Sequence, residues 1–162
     1  MLEEVLSPIA LGDLQTLAAG HEAGHAVVAA ALGYRAYAYM AAPDPMCLVT
    51  GEQVRDRPLI CAGGEVGACL ACCPNASLGN EADVENAGHA LAALTGDPAF
   101  PDRIWSDPTI WDRLTREAWQ ILVMHKSRFE QVMRKLREHG EAEVLPDPRR
   151  PRQRTLWPPT AW

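Results

Sequence analysis

Apolar residues recur at three- and four-residue steps between Asp13 and Leu32. Leu14, Leu17, His21, His25, Val28 and Leu32 trace one stripe of a helix, and two histidines sit inside that stripe. Asp13 is suited to cap its start and Gly33 to end it. Tyr34 to Met40, "YRAYAYM", alternates aromatic and small residues and predicts a strand. Pro43 and Pro45 break regular structure, and residues 49–57 hold either a second short strand or a loop. A second helix is expected over Pro58–Cys72. Its paired Gly63 and Gly64 lower helix propensity but let another backbone come close. "PNASLGN" predicts a loop, and a third helix follows from Asn80 to Thr95 with Val84, Ala87, Leu91 and Leu94 on one face. "GDPAFPDRIWSDP" is expected to be an irregular connector. Asp107 and Pro108 then provide an N-cap and first residue for one long helix reaching His139. Ile110, Leu114, Ile121, His125, Phe129, Val132 and Leu136 form its stripe, and Gly140 ends it.

The pattern describes a mainly α fold with a small β component. Two segments are expected: a domain over 1–140, and a Pro/Arg-rich tail over 141–162 that is extended or disordered and packs little. At 162 residues the chain is long enough for one domain with a core that needs no staples. Its net charge of −6 lacks the basic footprint of a nucleic-acid binder. "MLEEVLSPIA" has no positively charged n-region, and no apolar run reaches the length of a membrane span without a charge. The expectation is a soluble, cytoplasmic protein with no nucleic-acid or membrane partner. Five cysteines, Cys47, Cys61, Cys69, Cys72 and Cys73, are an odd set for such a chain, and free thiols are expected. "CLACC" contains a C-x-x-C, but no second cysteine pair exists to complete a four-thiolate zinc site. Its cysteines are expected to behave as small hydrophobes. Trp105, Trp111 and Trp119 are expected to cover the core.

The chemistry concentrates at His21-Glu22-Ala23-Gly24-His25. Residues four apart on a helix share a face, so the two imidazoles can aim at one ion, which is the physical content of the HExxH pattern. Glu22, on the adjoining edge, is within reach of a water held by that ion and can take its proton. Two polar rings on an apolar stripe would be costly without a partner, which favours a metal. Catalytic zinc needs a third protein ligand and an open position. The HExxHxxGxxH continuation is absent, because position 28 is valine, 31 alanine and 32 leucine. The third ligand must come from downstream: Glu81, Asp83, Glu85 or His89, with Glu65 and Asp44 as secondary candidates. Asp83 also fits a capping role three residues after Asn80, and His89 a packed core histidine. Spacing alone does not choose among them.

"HEAGHAVVAAALG" resembles the active-site helix of the FtsH-type AAA metalloproteases. "AGGEVGA" lies where that family carries a Gly-Gly segment. "GNEADVENA" is similar to its Gly-x-x-x-Asp-Leu-Glu-x-Ala stretch, and "AWQILVMHKSRFEQVMRKLREHGEAEVL" to its C-terminal helix; together they cover most of residues 13–145. The resemblance implies a helical, zincin-like peptidase domain. It implies Zn2+ held by His21, His25 and Asp83, with Glu22 catalytic. No GxxxxGK[ST] phosphate loop is present, so the expected activity is ATP-independent hydrolysis of peptide bonds in unfolded or small polypeptides. "YRAYAYM" is a candidate edge strand for holding a polypeptide substrate. The alternative is a catalytically silent module that binds zinc and a protein partner, with the tail carrying Trp157 and Trp162 as the docking segment or a homo-oligomer contact. A different HExxH hydrolase with Glu81, Glu85 or His89 as third ligand is also open.

Overall fold

The computed structural model describes residues 8–41, 44–71, 81–146 and 148. The described chain is mainly helical with one small antiparallel sheet. In order it forms α1 (Pro8–Ala31), β1 (Arg35–Tyr39), β2 (Met46–Thr50), α2 (Arg57–Ala71), α3 (Glu81–Thr95), α4 (Phe100–Ser106), α5 (Pro108–Met124), α6 (Lys126–His139) and β3 (Glu141–Val144). No helix among the described residues is long and apolar enough to cross a membrane.

α1 runs through the centre of the molecule, packed by α2 on one side and by α6 and the sheet on others. Ala23 and the run from Ala26 to Ala30 are buried all round, so this helix needs no polar face over its second half. Its small residues decide how near α2 can come. Gly20 and Gly24 on α1 face Gly63 and Gly67 on α2. A Cβ on Gly24 would overlap the Gly63 carbonyl, and one on Gly67 would overlap the Gly20 carbonyl. Each glycine costs about 1 kcal/mol of helix propensity relative to alanine, an outlay accepted for backbone contact. The sequence expectation that Gly63 and Gly64 admit a neighbouring backbone is met at Gly63, whereas Gly64 faces imidazole side chains.

The sheet has the order β2-β1-β3. Ala36 and Ala38 of β1 and Ala142 and Val144 of β3 face the helices, while Tyr37, Tyr39, Glu141 and Glu143 lie on the outer face. β1 is therefore the central strand and β2 an edge, which corrects the expectation that residues 34–40 would form the edge beside the site. The second strand also starts earlier than the 49–57 window, directly after Pro45, since proline can precede a strand without interrupting its ladder.

Four further expectations change. α1 already includes Pro8, so Asp13 lies within the helix and not at its start. The 96–108 connector contains α4. Asp97 accepts from the Ala99 N–H and the Arg103 guanidinium, Pro101 sits in the first turn, and Phe100 and Ile104 are buried. The single helix over 108–139 is two helices joined at His125 (φ −109°, ψ 24°). α5 packs on α2 while α6 packs on α1 and β3, and one straight helix cannot serve both surfaces. Finally, Glu141–Val144 is strand β3 and not tail: Gly140 (φ 75°) ends α6 in the left-handed region and turns the chain straight back onto β1.

Trp105 and Trp119 are exposed and do not cover the core; Trp111 packs against it and donates its indole N–H to Glu65 at 2.6 Å, tying α5 to α2. Cys47, Cys61 and Cys69 are in no disulfide, whereas Cys72, Cys73, the loop expected over 74–80 and the tail beyond Pro148 lie outside the described residues. If the glycine seam sets the α1–α2 distance, Gly24→Ala should lower unfolding free energy by about 2 kcal/mol or more, the range for overpacking. Trp119→Ala, at an exposed site, should stay within about 0.5 kcal/mol. Equilibrium urea unfolding of the two variants measures both.

Candidate metal centre

The two imidazoles project one helical turn apart from α1, and the carboxylate of Asp83 meets them from the first turn of α3. His21 Nε2 and His25 Nε2 are 3.0 Å apart, and Asp83 Oδ2 lies 3.0 Å from the first and 3.3 Å from the second. The rings stand edge to face, with an interplanar angle of 85°. Among the described residues this is the one group of three such side chains whose ligand atoms converge closely enough for a single ion.

α2 orients the group from behind. His25 Nδ1 donates to the Ile60 carbonyl at 2.7 Å; a carbonyl only accepts, so the proton must reside on Nδ1. In the neutral ring, Nε2 then presents a lone pair toward Asp83 and His21. Gly64, one turn further along α2, leaves the space the rings occupy: a Cβ there would sit 2.5 Å from His25 Cε1 and 2.7 Å from His21 Cε1. The paired glycines thus have separate tasks, Gly63 against the α1 backbone and Gly64 against the imidazoles.

The donors fit a metal. Asp83 Oδ2 is buried yet completes no well-formed hydrogen bond, and His21 Nδ1 is buried without a partner among the described residues. Three electron-rich atoms facing one point repel unless a cation lies between them. With metal–nitrogen bonds of about 2.0–2.1 Å, as zinc makes, a tetrahedral site has ligand separations of about 3.3–3.4 Å. The observed 3.0–3.3 Å is close to that edge.

Without a metal, a proton serves as the cation. Burial works against the His25 imidazolium, but the adjacent Asp83 and Glu22 carboxylates outweigh it and raise the His25 pKa to about 9. Burial likewise works against the Asp83 carboxylate, and the two imidazoles overcome it, holding Asp83 well below the usual carboxylate range. Glu22 is buried beside the trio but contributes no atom to it. Its burial raises the carboxyl pKa, and the neighbouring histidines offset part of that rise.

A cavity of about 700 Å³ opens onto these side chains. Leu14, Leu17 and Ala18 of α1 form one wall, Met46, Cys47 and Val49 of β2 another, and Glu52, Arg57, Ile60 and Cys61 a third. The amino-terminal part of the α1 stripe therefore faces the cavity and not the core, which explains why Leu14 is exposed. The other candidate ligands are elsewhere. Glu81, Glu85 and His89 are exposed on α3, with His89 3.7 Å from Glu85, and Glu65 bonds Trp111. Asp44 reaches the cavity mouth but not the trio. Sequence reasoning missed the Ile60 carbonyl, the task of Gly64 and the whole wall from β2 to Arg57. Only the glycine pair carried a signal, since a backbone carbonyl has none.

No protein-family model matches the chain, and no curated protein matches it.

Asp83→Ala should weaken metal binding by more than about 100-fold, beyond the cost of losing an outer-shell partner. Glu85→Ala, on the exposed face, should leave it unchanged; competition with a chromogenic chelator reads both. A metal must also displace the His25 proton. Apparent affinity should rise by about tenfold per pH unit toward pH 9 and then level off. The metal-free protein should show the opposite trend. The His25–Asp83 pair stabilises the fold fully below the unfolded histidine pKa of about 6.5, and that contribution is lost as pH rises through about 9. Metal titrations and urea unfolding across pH 6–10 test the two signs.

Proposed function

We propose that the protein is an ATP-independent zinc metallopeptidase that hydrolyses peptide bonds in unfolded or small polypeptides. The observation that carries this reading is Glu22: a buried carboxyl next to three converging metal donors, outside the donor set, and lining an open cavity. A site that only stored a metal would need His21, His25 and Asp83 alone. The resemblance of residues 13–145 to the FtsH-type peptidase domain supports the same ligand set, with zinc as the metal.

Zinc, when bound, supplies a Lewis acid that brings the pKa of a water toward neutrality and polarises a carbonyl. His21, His25 and Asp83 would hold it, and the Nδ1–H to Ile60 bond keeps the His25 lone pair on Nε2. Glu22 takes the proton of the attacking water at its carboxylate. Its raised pKa then suits it to return that proton to the departing amine nitrogen. β2 positions the substrate. Cys47 and Val49 line the cavity, and β1 is its one strand neighbour in the described sheet, so an extended peptide can pair with the outer edge of β2 beside the metal. The exposed Met46 and Leu48 widen the apolar ground for it.

Glu22→Gln should bind one equivalent of zinc but lose about 10²- to 10⁴-fold in hydrolysis of unfolded casein, the share a positioned general base supplies. Undiminished cleavage by this variant would remove Glu22 from the mechanism. One bound zinc with no hydrolysis of any peptide by the wild type would favour the silent zinc-binding module instead.

A further inference from the structure

The cavity that the metal donors line carries one Arg or Lys side chain among the described residues, Arg57, together with the lining carboxylates Glu22, Asp44, Glu52 and Asp83. Arg57 is the first residue of α2, and the loop before it is pinned from below. Asp56, itself buried, accepts from the Tyr34 hydroxyl at 2.5 Å, and the Gln53 N–H donates to the same hydroxyl. The guanidinium is held side-on. Nε at 3.1 Å and Nη2 at 3.0 Å both reach a single oxygen, Oε1 of Glu52. Two of the five N–H donors are used in this way, which leaves the end-on fork formed by Nη1 and Nη2 for a further acceptor. Arg57 is about half exposed while Glu52 is mostly covered, so the acid anchors the pair and the base faces solvent. A guanidinium on the lining of a cleft, oriented by a carboxylate and with its end-on fork unused, suits the bidentate geometry of a carboxylate ligand.

We infer that Arg57 determines specificity by receiving a carboxylate of the bound peptide, either its C-terminal group or an acidic side chain near the scissile bond. This rests on the peptidase reading for the nature of the ligand, whereas the carboxylate preference is a property of the wall itself. Glu52 has two effects: it aims the guanidinium, and it competes with the incoming carboxylate for the same charge.

The test uses the full chain loaded with zinc and two pairs of non-cleavable peptide hydroxamates, followed by titration calorimetry. In one pair a free C-terminal carboxylate replaces a carboxamide. In the other, both amidated, a glutamate replaces a glutamine beside the hydroxamate. At least one carboxylate probe should bind about tenfold or more tightly than its amide twin, and the pair that discriminates identifies the source. Arg57→Gln should erase the difference, Arg57→Lys should keep part of it, and Glu52→Gln should widen it. Thermal unfolding of each zinc-loaded variant confirms that it is folded. Equal binding within both pairs, discrimination that survives Arg57→Gln, or binding of no probe overturns the inference. Discrimination by a protein that hydrolyses nothing would remove the peptidase reading and leave the Arg57 site standing. Hydrolysis without discrimination would do the reverse.

Discussion

The contact between α1 and α2 at backbone distance is the constraint on which the site depends. With side chains at Gly24 or Gly67 the helices would move apart. The Ile60 carbonyl would then leave His25 Nδ1, and the ring would lose the bond that fixes its proton. Gly64 belongs to the same arrangement, because the imidazoles fill the volume that its missing side chain vacates. Helix packing and ligand geometry are one problem here, solved with four glycines in the seam and a fifth beneath the rings.

The electrostatics follow from that packing. Two imidazoles and two carboxylates, of Asp83 and Glu22, are drawn away from water in a small volume. Left as neutral rings and bare carboxylates they would face one another with unsatisfied lone pairs, at a cost of about 1–3 kcal/mol for each buried group. A positive charge in the trio relieves that cost, and a proton can take the role: the carboxylates push the His25 pKa up and the imidazoles hold that of Asp83 down. A dication does it more completely. The site is thus built as a demand for charge, and Glu22 stands next to that demand without being consumed by it.

The residues that were legible in the sequence are those whose role follows from spacing along one element. His21 and His25 share a face because they are four apart, the paired glycines announce a close neighbour, and Asp107-Pro108 marks a helix start that the structure keeps. Asp83 was one candidate among several. Its distinction from Glu81, Glu85 and His89 is a matter of which side of α3 meets α1, and helical periodicity on an acidic, small-residue segment does not encode that strongly. β2 and β3 were misplaced because four- and five-residue strands carry too few alternations to outweigh nearby prolines or a charged run. The division at His125 was invisible for another reason. No proline or glycine marks it, and it arises from the two different surfaces that α5 and α6 must cover.

β3 has a consequence for how the molecule comes into being. Tyr37 on β1 hydrogen-bonds Glu143 on β3 across 106 positions of sequence, and the strands pair from Ala36–Val144 to Tyr39–Glu141. Non-local pairings of this kind are slow to form, since chain closure must precede the contacts that reward it. During synthesis, α1 and β2 emerge long before the strand that braces β1 on its other side. For that interval β1 has an open flank, and the wall it supports lacks its final bracing. The cavity wall that β2 forms is thereby completed only after residues 141–144 have been made.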